Sequence, residues 1–165
     1  MRQLLLLLLL LSNSISANKV LYVCPNKVRQ LAIEYQDIQE ERRNAELEKD
    51  STLFSLDKML SELQMASGSE VNFPDYYQIM KQSEETMYKY QLAIDLYKTQ
   101  NIVFENRFRE VCYSLAVTHE AAAVLTTTDF IFVTSLEDVT LDVVKQLNND
   151  YKERKLFENI ELEGN

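Results

Sequence analysis

Tryptophan is absent from this chain, and histidine occurs once, as His119. A lone histidine in "VTHEAAAV" excludes the paired imidazoles of a zinc-protease helix and leaves serine or cysteine nucleophiles without an obvious base. Two glycines, Gly68 and Gly164, supply neither a glycine-rich phosphate loop nor a G-x-S-x-G elbow. The two cysteines, Cys24 and Cys112, form no Cys-x-x-Cys motif. Acidic neighbours such as Glu40 with Glu41, or Glu84 with Glu85, are one residue apart and point different ways on a helix, so a solvated face explains them. The expectation is a protein that is not an enzyme and holds no metal or cofactor.

Basic residues are also scarce: 17 Lys and Arg stand against 26 Asp and Glu, a formal charge of −9. Such a chain repels phosphate backbones and anionic headgroups, and no local Lys/Arg cluster reverses that, so nucleic acid is not an expected partner. Long hydrophobic runs are missing beyond the N-terminus. There, "MRQLLLLLLLLSNSISA" places Arg2 before eight leucines and ends in small polar residues, the order of a secretory signal peptide over residues 1–17. Eight leucines are too few to span a bilayer, which needs roughly 20 apolar residues, so no stable membrane insertion is expected. The reading is a secreted, extracellular, acidic protein with one domain over residues 18–165.

The shortage of Gly and Pro argues for long helices, because the strongest helix breakers are nearly missing. Alternating steps of three and four from Val28 to Ala66 meet nine apolar or aromatic residues in twelve positions. The three misses, Arg42, Lys49 and Thr52, lie together, and a break near residue 50 follows from them. The same count from Phe73 to Leu125 meets thirteen in sixteen, with another break allowed near residue 100. The fold class is therefore mainly all-α: an elongated antiparallel helical hairpin, coiled-coil in character, or a bundle of three to five helices. Its arms are 27–66 and 73–125. A connector rich in β-branched residues follows over 126–135, then a C-terminal helix over 136–156 opened by a capping box from Ser135 to Asp138. "KVLYV", residues 19–23, is strand-like and offers a short pairing with the connector.

The cysteines act as a ruler. A hairpin turning between Ser67 and Asn72 pairs residues whose numbers add up to about 139, and Cys24 with Cys112 comes within three of that sum. Three positions are about 4.5 Å of helix rise, so a disulfide between Cys24 and Cys112 clamping the open end is expected in an oxidising compartment.

Tyr76, Tyr77, Met80, Met87, Tyr88 and Tyr90 are residue types favoured at recognition surfaces. Most of them follow the seam and read as core. Tyr77 and Tyr88 fall off it and are the candidate partner-facing pair. Function then reads as binding of an extracellular protein partner, or self-association. Two other classes compete: a carrier of a small apolar ligand between the helices, and a ligand for a cell-surface receptor, since the outline is similar to that of the helical cytokines.

Overall fold

The computed structural model describes residues 19–67, 73–126 and 136–163, and 85% of them lie in four helices. The expected leader, the hairpin turn at 68–72 and most of the connector, with Ser135, lie outside the described residues. The chain divides into two compact units: a hairpin unit, Asp37–Val103, and a sheet unit made from the residues on either side of it.

In the sheet unit, strand β1 (Val20–Val23) alternates as its sequence suggests, with Leu21 and Val23 fully buried and Val20 and Tyr22 half-buried. It is the middle strand of three. On one side lies β2 (Ala123–Thr126), with Val20 opposite Ala123, and on the other lies β3 (Glu137–Asp138), with Leu21 opposite Glu137. Both pairings are parallel. Of the connector expected to pair with β1, only Thr126 takes part among the described residues: β1 pairs with Ala123–Thr126, otherwise in the stretch expected to end the second helical arm, and with Glu137–Asp138, expected to open the C-terminal helix.

Helix α1 (Pro25–Leu31) follows β1 at once, with Pro25 in its first turn, where the missing N–H costs nothing. It stops at Ala32, whose backbone is extended (φ −74°, ψ 120°), and α2 (Ile33–Ser67) begins one residue later. Neither Gly nor Pro marks this break. Asn148 accounts for it: its Oδ1 accepts the Ile33 N–H at 2.8 Å, and its Nδ2 donates to the Leu31 carbonyl at 3.4 Å. One side chain from another helix thus satisfies an orphan group on each side of the gap. Next to it, buried Glu34 accepts from Arg107 and from Arg154 Nη2, the latter at 2.8 Å. The apolar core around these groups holds Leu21, Val23, Val28, Phe104, Val139, Val143 and Leu147. Tyr35 stacks at a tilt on Phe104, ring centroids 5.2 Å apart.

Helix α3 (Phe73–Thr118) ends seven residues before the expected Leu125. Its last turn closes by two crossed bonds, Ala121 N–H to the Ala116 carbonyl and Glu120 N–H to the Val117 carbonyl, with Glu120 left-handed at φ 52°. This is a Schellman stop, which usually uses glycine. Here Glu120 occupies the position. The reversal lets β2 run parallel to β1. Helix α4 (Thr140–Glu163) also starts later than expected, because Glu137 and Asp138 belong to β3. Asp138 Oδ1 accepts the Thr140 N–H at 2.9 Å, at the entry to the helix.

In the hairpin unit α2 and α3 run without a break at 50 or 100. The charged misses are seam residues after all: the Arg42 guanidinium lies 5.0 Å from the Tyr97 ring centroid, and the Lys49 ammonium 4.4 Å from that of Tyr90. Each pair adds up to 139, as does Tyr35 with Phe104. Cation and tyrosine face each other where two apolar side chains were expected, so the helix needs no interruption. The Gln39 amide donates to Tyr97 Oη at 3.1 Å and leads the effects that hold this phenol below its usual pKa.

The expected Cys24–Cys112 bond is absent, and both thiols are free. The ruler fails because it extends the arm past Ala32, where the helix stops. Cys24 then belongs to the corner between β1 and α1, where its N–H donates to Thr140 Oγ1 at 3.0 Å and its thiol stands beside Tyr22. Cys112 lies buried on α3.

Candidate functional site

The most unusual surface belongs to the hairpin unit. Tyr77 and Tyr88, the pair singled out from sequence, are 69% and 65% exposed. Eleven residues separate them, three helical turns, so they share one side of α3. Leu92 and Leu96 continue that side one turn at a time and are also exposed. On α2, Leu47 and Phe54 stand two turns apart, Phe54 at 75% exposure. Large apolar groups left in water along a helix face mark a contact surface more often than single scattered ones do.

Seam residues open the same unit further. Met80 and Met87, read from sequence as core, are each more than a third exposed, as are Met59 and Tyr76; Tyr90 is covered in part by Lys49. Between the two arms lies an open cleft of about 510 Å³, lined by Met59, Glu62 and Leu63 from α2 and by Asp75, Gln78, Ile79 and Gln82 from α3. Its walls mix apolar and acidic groups. The outer face was legible only in part: the sequence count followed the seam, and the i, i+4 series Tyr88, Leu92, Leu96 was the unused signal.

In the sheet unit, His119 sits in a polar cluster. Lys19 Nζ lies 2.6 Å from Glu137 Oε2 and 3.3 Å from His119 Nδ1, which is itself 3.3 Å from Glu137 Oε1. The hydrogen bond from Lys19 is the main reason the Glu137 carboxyl is held below its usual range. These groups tie the start of β1 to β3 and to the turn after α3. Another cleft, about 390 Å³, lies beside Cys112, walled by Tyr113, Ala116, Val117, Ala122 and Val124 among others. Burial pushes the Cys112 thiol up to about 11, so at neutral pH it is a protonated apolar group with little nucleophilic character.

Comparison with models of known families gave no match, and comparison with curated proteins gave none. Among the described residues no helix is long and apolar enough to cross a membrane, and no three His, Cys, Asp or Glu side chains gather as a metal site.

Proposed function

We propose that this is a secreted, non-enzymatic protein that acts by binding another protein through the exposed face of its hairpin unit. One observation carries the reading: large apolar side chains, Tyr77, Tyr88, Leu92 and Leu96, line one side of α3 in solvent. Tyrosine suits such a face because it brings contact area with a polar tip and few rotatable bonds. The leader-like N-terminus supports export, and release into the medium with a new N-terminus at Asn18 is the expected outcome on expression.

A photo-crosslinking amino acid at position 88, introduced into the full chain and irradiated in native extracellular fluid, is expected to give a covalent adduct with a protein. Leu92→Glu should suppress it, while crosslinkers at Glu153 should give none. Absence of adducts from positions 54, 77 and 88 alike would sink the proposal.

A further inference from the structure

The cleft between the arms of the hairpin unit restricts what the partner must present. Its apolar lining is Met59, Leu63 and Ile79; its charged lining is Glu62 and Asp75, and neither Lys nor Arg lines it. Methionine adapts to side chains of different shape, which favours an apolar partner of loose sequence. The two carboxylates add a local preference for cations, in a chain whose overall charge is already −9. Lys58 reaches Glu62 only at 3.8 Å, with both side chains largely in water, so this pair is weak and readily exchanged. An enclosed apolar cargo would call for a closed cavity without carboxylates, and this cleft is open.

Resting on the protein-binding reading above, we propose that the cleft takes a basic, apolar-flanked peptide segment of the partner. Leu, Ile, Met or Phe side chains would lie against Met59, Leu63 and Ile79, and a Lys or Arg would meet Glu62 and Asp75. This is the groove mode of recognition, with apolar anchors for affinity and complementary charge for selection and speed.

The test uses the full chain and three labelled peptides of equal length followed by fluorescence anisotropy: an amphipathic Leu/Lys peptide, its Leu/Glu counterpart and a Gly/Lys peptide. The Leu/Lys peptide should bind at least tenfold more tightly than the other two, and weaken as salt rises. Glu62→Lys should reduce its affinity about tenfold and Met59→Ser several-fold. Both positions are exposed, and unchanged helical melting checks that the variants fold; Leu156→Ser in the sheet unit should change nothing. Equal binding of the Leu/Glu peptide, or indifference to Glu62→Lys, overturns the proposal. So does sedimentation showing a second copy that Glu62→Lys releases, or a small apolar molecule extracted from the native protein and lost with Met59→Ser. If no peptide binds while the position 88 crosslinker still captures a protein, this inference falls and the protein-binding reading stands; loss of both removes both.

Discussion

The two units divide their apolar residues between core and solvent in different proportions, although the sheet unit too leaves Tyr113, Leu141 and Phe157 exposed. Among the described residues, the sheet unit holds twelve of the buried hydrophobic side chains and the hairpin unit only Ile38, Leu56 and Ile79. The hairpin unit nonetheless carries Leu47, Phe54, Tyr77, Tyr88, Leu92 and Leu96 in solvent. One unit is held by a core and satisfied polar contacts. The other is held by a thin seam, its tyrosines partly packed under cations, and keeps its outer faces available. Substitutions should therefore act on stability in the first and on binding in the second.

Phe104→Ala tests the core most severely, since it empties the largest fully buried site of the sheet unit. It should cost about 3–5 kcal/mol by chemical denaturation, with amide protection lost first around β1 and α4. Glu34→Gln leaves Arg107 and Arg154 without their shared carboxylate and should cost roughly 3 kcal/mol. In the hairpin unit, by contrast, Leu92→Glu should shift stability by no more than about 0.5 kcal/mol, because that residue is half in solvent and outside the buried core, while removing partner capture. An effect of Leu92→Glu as large as that of Phe104→Ala would erase the contrast.

Glu120→Gly should move stability the other way. The left-handed backbone at φ 52° strains a residue with a Cβ, so glycine is expected to raise stability by about 1 kcal/mol, read from the denaturation midpoint. The smallest effect concerns pH. The Glu137 carboxyl titrates below its ordinary value of 4.5, so its contact with Lys19 stabilises the fold above that pH and fades as pH falls through the lowered value. The gap in melting temperature between the parent and Lys19→Met should be open at neutral pH and shrink once the pH falls below 4.5 and through the lowered value. A gap that widens on acidification would contradict the assignment.

How much of this was readable in advance follows the range of the interactions. The lack of glycine and proline pointed to long helices, and the antiparallel register showed in the constant residue sum that now joins Arg42 with Tyr97 and Lys49 with Tyr90. The exposure of Tyr77 and Tyr88 was legible because both fall outside the seam. What stayed hidden depends on distant partners. The break at Ala32 comes from Asn148 on another helix, and the stop after Thr118 uses glutamate where glycine is the usual signal. The disulfide estimate failed for the same reason, since it assumed a helix where Asn148 had ended one. Continuity at residue 50 was hidden because Lys49 looks like a solvated charge until Tyr90 is opposite it.

The parallel sheet also sets a timetable for synthesis. Val20 finds its neighbour Ala123, and Leu21 its neighbour Glu137, only after about a hundred further residues have been made. A chain emerging from its N-terminus completes the hairpin unit first and must hold β1 unpaired until the last third of the sequence arrives. Contacts so distant along the chain make for slow closure. Products truncated before Ala123 would then expose the Leu21–Val23 edge, making them the forms most open to aggregation and to degradation by quality-control proteases.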